Sequence, residues 1–199
     1  MDGRRACGWR AIEGSAVLEV LLAAAFLVSL AGMAVPLTAR VADSARARSA
    51  ASFVAARLRL ARAHAVSTRQ ATALAFDQEG SRWVVRRCID GNGNGVRRAE
   101  MSDGPDTCEA PRELAHQFSR VVLALGAGVP AVDGDVGVSA AVRFGRSALA
   151  SCTPAGSCTP GTVYIRSERG EQFAVRVSGL TGRTRLLRFD TGTRTWTSD

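Results

Sequence analysis

The chain predicts an α+β fold, one long N-terminal helix packed on an antiparallel β-sheet domain. Three observations in its 199 residues carry that expectation. No Gly or Pro occurs between Leu37 and Glu79, and the apolar residues up to Arg69 recur at helical spacing. Beyond Thr68 the pattern becomes one of short strands separated by Gly-, Pro- and Asp-rich connections. With helix and strands segregated along the chain, the helix is expected to bury one face on the sheet.

The helix opens on an uncharged stretch. Residues 20–37 carry no charge and are interrupted only by Ser29, Gly32 and Pro36, with Glu19 standing just ahead of them. Residues 16–37 would measure about 33 Å as a helix, enough to cross a bilayer. Arg4, Arg5 and Arg10 precede the stretch, so its N-terminal side is expected in the cytoplasm and the bulk of the chain outside. An ionised Glu19 at the mouth of such a segment is costly in lipid unless something pairs with it. Pro36 is expected to bend the helix near the lipid exit. Further on, Val54, Leu58, Ala61 and Ala65 fall on one face with Phe53 and Leu60 at its edge. Arg48, Arg57, Arg59, Arg62 and Arg69 sit elsewhere and read as a solvated or headgroup-facing surface.

The strands follow in order. Segments 71–76 and 82–89 flank a turn and read as a hairpin; 118–125 is a third strand and 141–144 a short fourth. Segments 162–166, 172–177 and 184–189 complete the set, separated by Glu168-Arg169-Gly170 and Gly179-Leu180-Thr181-Gly182. The stretches 90–117, 126–140 and 147–161 lack periodicity and read as loops.

Gly14, Glu19 and Pro36 resemble the leader and first helix of type IV pilins and type II secretion pseudopilins. Residues 58–76, the 90–95 loop and residues 178–185 are similar to the minor (pseudo)pilins called GspH and FimT, so the resemblance runs over most of the chain. It implies cleavage by prepilin peptidase between Gly14 and Ser15 and N-methylation of Ser15, where the family usually has Phe. It also implies that Glu19 pairs with a neighbouring subunit's new N-terminal amine, and that Pro36 takes the family's kink position. The implied organisation is a leader over 1–14, the membrane-spanning half of the helix over 15–37, an amphipathic half over 38–69 and a periplasmic β-rich domain over 70–199. The implied place is a single pass through a bacterial inner membrane, then a filament built with other (pseudo)pilin subunits. Two settings stay open: a type II secretion pseudopilus exporting proteins, or a type IV pilus for surface fibres or DNA uptake.

Cysteine usage fits an oxidising compartment. Of Cys7, Cys88, Cys108, Cys152 and Cys158, the first lies inside the leader, leaving four. Four permit three disulfide connectivities, of which sequence proximity favours Cys88–Cys108 and Cys152–Cys158. Neither spacing is that of a zinc site. Every one of the 26 basic residues is Arg and the net charge is +8, a balance compatible with DNA, anionic headgroups or acidic partner subunits.

Two motifs could carry chemistry. Asp90, Asn92 and Asn94, followed by Gly95, reproduce the first half of a calcium loop, although Met101 stands where the bidentate Glu belongs. Asn-Gly repeats also simply make turns. Gly182-Arg183-Thr184-Arg185, with Arg188 following, resembles the Gly-Arg-x-Arg element through which the FimT-like branch binds double-stranded DNA. Alternate residues of a strand share a face, so Arg183 and Arg185 can project together toward phosphates. Enzyme activity has little support, since His64 and His116 have no visible nucleophile or metal partner and no serine lies in a Gly-x-Ser-x-Gly setting. No cofactor other than a weakly held calcium is implied.

Overall fold

The computed structural model describes residues 13–80, 82–133 and 141–199, and within its long helix the side chains at all positions but 13–15 and 31–37. The leader before residue 13 and the side chains of Gly14, Ser15 and Pro36 therefore lie outside the described set. The chain divides into two units, Met1–Ala42 and Asp43–Asp199. Helix α1 (Glu13–Thr68) supplies the described part of the first unit and continues into the second.

In the first unit the helix is rich in Ala and Leu, strong helix formers that lose little side-chain freedom there. Val17, Leu18, Leu21, Phe26, Leu27 and Leu30 are each at least half exposed. Glu19 is exposed among them. Ser29 returns its hydroxyl to the Ala25 carbonyl at 2.8 Å, so its polar group is satisfied within the helix. Among the described residues no helix is long and apolar enough to cross a membrane. Only residues 16–30 of the expected span have described side chains.

In the second unit the helix buries Ala47, Ala50, Ala51, Val54, Ala55, Leu58, Ala61 and Ala65, a three- and four-residue spacing that keeps one stripe against the core. Small side chains along that stripe let the backbone approach the sheets closely. Phe53 packs at the edge against Phe118, ring centroids 5.6 Å apart, whereas Leu60 is exposed rather than at the buried edge. The helix stops at Thr68, where Ser67 and Thr68 turn their hydroxyls to the His64 carbonyl and Arg69 adopts φ 58°. The arginine face is largely engaged with the domain. Arg57 pairs with Glu109, Arg59 donates to the Thr184 carbonyl and Arg62 to that of Gly156.

The strands are β1 (Thr72–Glu79), β2 (Arg82–Ile89), β3 (Thr107–Cys108), β4 (Arg112–Glu113), β5 (Val121–Leu123), β6 (Val142–Arg143), β7 (Leu149–Cys152), β8 (Gly161–Ser167), β9 (Gln172–Val177), β10 (Thr184–Asp190) and β11 (Thr195–Ser198). A short helix α2 (Leu114–Gln117) follows β4. They form two antiparallel sheets where the sequence suggested one. The first runs β3-β2-β1-β7 with β4 also on β2; the second runs β11-β10-β9-β8-β5 with β6 also on β8. Helix α1 and the inner faces of both sheets share one core, including Leu74, Phe76, Phe144, Val163, Ile165, Phe173 and Val175. Phe76 and Phe144 stack at 5.9 Å.

The expected hairpin pairs Thr72 with Ile89 through Glu79 with Arg82. Three stretches differ from expectation. The 90–117 segment is not a bare loop: it holds a 3-10 turn (Arg98–Glu100), β3, β4 and α2. It covers the outer face of the first sheet, burying Val96 and Met101 against Ala73 and Ala75. Within 147–161, β7 pairs with β1. The tail forms β11, whose Trp196 packs on Tyr164 and Phe189. Both expected disulfides, Cys88–Cys108 and Cys152–Cys158, are present.

Candidate functional site

Strand parity decides which residues of the second sheet face away from α1. Phe173, Val175 and Val177 of β9 enter the core, so Arg176 points outward. Likewise Val163 and Ile165 of β8 point inward and Thr162 outward; Leu186 of β10 packs inward and Arg185 faces out. The register sets Arg185 opposite Arg176, Arg176 opposite Thr162, and Thr162 opposite Arg143 of β6. A single outward row thus crosses four strands, neighbours standing about 4.8 Å apart.

This row borders two adjoining hollows. One, of about 560 Å³, is lined by Pro160, Arg176, Thr181, Arg183 and Arg185. The other, of about 520 Å³, is lined by Asp133, Val142, Arg143, Pro160 and Arg176. Asp133 reaches Arg176 at 2.6 Å, with both side chains 45% exposed. A strap over the sheet delivers that carboxylate. Gln172 donates to the Ala124 carbonyl at 3.2 Å, the Tyr164 hydroxyl accepts the Val132 amide at 2.9 Å, and the Trp196 indole donates to the Pro130 carbonyl at 2.9 Å. Among the described residues neither Arg183 nor Arg185 has a carboxylate partner.

The turn that presents Arg183 is held from behind. Gly182 has φ +60°, and a Cβ there would sit 2.5 Å from the Gly156 oxygen and from Arg62 Cδ. Arg62 itself donates to that same oxygen at 2.9 Å. The Cys152–Cys158 loop, α1 and the β9–β10 turn therefore meet at one tight stack. The structure separates Arg188 from the pair it was grouped with. Arg188 leaves the opposite face of β10 from Arg185 and pairs with Glu171 at 3.1 Å. Arg176, Arg143 and Asp133 were not singled out by sequence, although pairing 172–177 with 184–189 across the Gly179–Gly182 turn would have placed Arg176 beside Arg185.

The calcium-like loop is closed upon itself. Asp90 is buried; one carboxylate oxygen accepts the amides of Asn92 (3.1 Å) and Gly93 (2.8 Å), the other that of Gly95 (2.7 Å). Burial works against its charged form, but backbone donors from Gly95, Asn92, Gly93 and Asn94 outweigh it and hold the pKa below the usual 3.8. Asn92 and Asn94 turn their side-chain amides to Glu100. Among the described residues no group of three or more His, Cys, Asp or Glu is placed to hold a metal ion. His64 meets the Thr72 hydroxyl at 3.2 Å and His116 the Glu113 carboxylate at 3.2 Å.

At the other end of the chain, Glu13, Gly14 and Ser15 all fall within helix α1, and Glu19 is exposed on it. No protein-family model matches the chain, and no curated protein matches it. Among solved structures it is similar to the minor pseudopilin EpsH from the Type 2 Secretion System of Vibrio cholerae. The identity is 18% and the TM-score 0.39, over 72% of this chain and 97% of that one.

Proposed function

We propose that the protein is a minor pseudopilin-type subunit, a non-enzymatic building block of a filament in a type II secretion system. The observation that carries the reading is the spacing of Gly14, Ser15, Glu19 and Pro36 at the head of a helix that runs from Glu13 to Thr68. In this reading prepilin peptidase cuts between Gly14 and Ser15, the new terminus is methylated, and residues 15–37 hold the subunit in the inner membrane until assembly. The exposed apolar side chains between Val17 and Leu30 then meet lipid first and neighbouring helices later. Glu19 pairs with a neighbour's amine, which removes two charges from the apolar phase together.

Co-expression with a prepilin peptidase tests this directly. The expected product is shorter by residues 1–14, and Gly14→Ala blocks the shortening. An unchanged intact mass in the presence of active peptidase overturns the reading. The alternative setting is a FimT-like pilin that binds DNA through Arg183, Arg185 and Arg188. It is the weaker reading because Arg188 is turned away and paired with Glu171. A salt-sensitive shift of duplex DNA by the full chain, lost in Arg183→Ala/Arg185→Ala, would move the assignment to DNA uptake.

A further inference from the structure

The row of arginines on the outer face of the second sheet is an arrangement that folding alone does not favour. Arg185 and Arg176 stand directly opposite each other on β10 and β9, and like charges in that position repel. Arg183 adds a third guanidinium to the same hollow. Among the described residues, one carboxylate, that of Asp133, is paired within this trio, and it reaches only Arg176.

We infer that this groove docks an acidic segment of another polypeptide, whose carboxylates pair with Arg183 and Arg185 and displace Asp133 from Arg176. Asp133 shows the chemistry the groove accepts: a carboxylate carried on a turn of the chain, seated at 2.6 Å from a guanidinium. The lining favours a peptide over a nucleic acid. Pro160 gives both hollows apolar surface, and Leu180, 89% exposed between two residues of the lining, offers an apolar rim. Among the described residues no aromatic side chain lines either hollow, so unpaired bases have nothing there to stack upon. The sites are concave and a few side chains in size, whereas a duplex presents a convex backbone that would touch only the rim. Arg183 and Arg185 are two residues apart, which matches carboxylates at alternate positions of an extended partner, roughly 7 Å from one another. The inference does not depend on the filament reading, because it uses only the outer face of the second unit.

The test measures binding of a fluorescent peptide alternating Glu with Gly to the full chain in a non-ionic detergent, by anisotropy, with a short duplex DNA as the second probe. Arg176→Gln/Arg185→Gln is expected to weaken the peptide about tenfold, the scale of two partly exposed ion pairs. Asp133→Asn is expected to tighten it by about threefold or more, since the internal competitor is gone. Arg166→Gln removes the same charge from an exposed position on the same face but outside the hollows, and is expected to leave binding unchanged. Should the double variant fail to fold, Asp133→Asn and the exposed Arg183→Gln carry the test. Equal losses in Arg166→Gln and Arg185→Gln, no gain in Asp133→Asn, or tighter binding of the duplex than of the peptide would each overturn the inference.

Discussion

Replacing Gly182 by Ala isolates the stack that holds the arginine turn in place. Two penalties apply. The first is the backbone: Gly182 has φ +60°, and an L side chain in that region costs on the order of 1 kcal/mol. The second is steric. The new Cβ would stand 2.5 Å from the Gly156 carbonyl oxygen, which is backbone and cannot swing aside, and equally close to Arg62. Arg62 must therefore give up its bond to Gly156, worth about 1.5 kcal/mol at the low end suited to an exposed guanidinium. Displacing the turn adds about 1 kcal/mol. The total is roughly 3.5 kcal/mol, or about 7–14 °C in Tm for a domain of this size.

Gly80 supplies the control. Its φ is +62°, nearly that of Gly182, and a Cβ there meets nothing within 4 Å. Gly80→Ala therefore carries the backbone penalty alone, roughly 2–4 °C. Thermal unfolding followed by circular dichroism compares the two variants in the same detergent. Equal losses in Tm would refute the stack. So would strict additivity of Gly182→Ala with Arg62→Ala, since groups sharing one contact should couple.

Two further outcomes are expected. Cys88–Cys108 closes a sequence separation of 20 and Cys152–Cys158 one of 6. Removing each as a double Cys→Ala variant should lower stability by roughly 3 and about 2 kcal/mol respectively, read from denaturant midpoints at constant m-value. Asp90 titrates below 3.8 in the folded state, so its contribution is fully present above that value and is lost as pH falls through the folded pKa. Tm measured from about pH 6 down to about pH 2 should fall more steeply for the parent than for Asp90→Asn; parallel curves would refute that role.

Much of this architecture was legible because it rests on local pattern. The absence of Gly and Pro between Leu37 and Glu79 and the Val54, Leu58, Ala61, Ala65 stripe announce a continuous helix with one buried face. The β1–β2 hairpin and the strands β8, β9 and β10 show alternation, since one face of each meets the core. What was not legible depends on partners distant in sequence. β7 lies in a Gly- and Pro-rich stretch and exists because β1 offers it an edge. β11 is short and polar, and only Trp196 closing over Tyr164 and Phe189 gives it a reason to pair. Arg188 looked like a companion to Arg185 by proximity, but odd spacing on a strand sends the two to opposite faces. Arg176 and Asp133 belong to the site through register and through a strap, neither of which spacing reveals.

Placement, rather than total charge, distinguishes the arginines of this chain. An all-arginine composition with net charge +8 gives no reason to single out any one of them. The fold does. Arg57 and Arg87 share Glu109, Arg86 and Arg98 share Asp77, and Arg59 and Arg62 cap carbonyls of the domain that α1 lies upon. Each of these joins separate elements, so its loss should appear as lost stability. Among the described residues the side chains of Arg183 and Arg185 join no other element, and Arg176 opposes Arg185 at some cost to the sheet. They also leave the face of the second sheet away from α1, so a ligand held there would not contend with the helix for its packing surface. Under the proposed function α1 would serve assembly while this face stays an independent binding surface, and variants on the two faces should therefore fail in different assays.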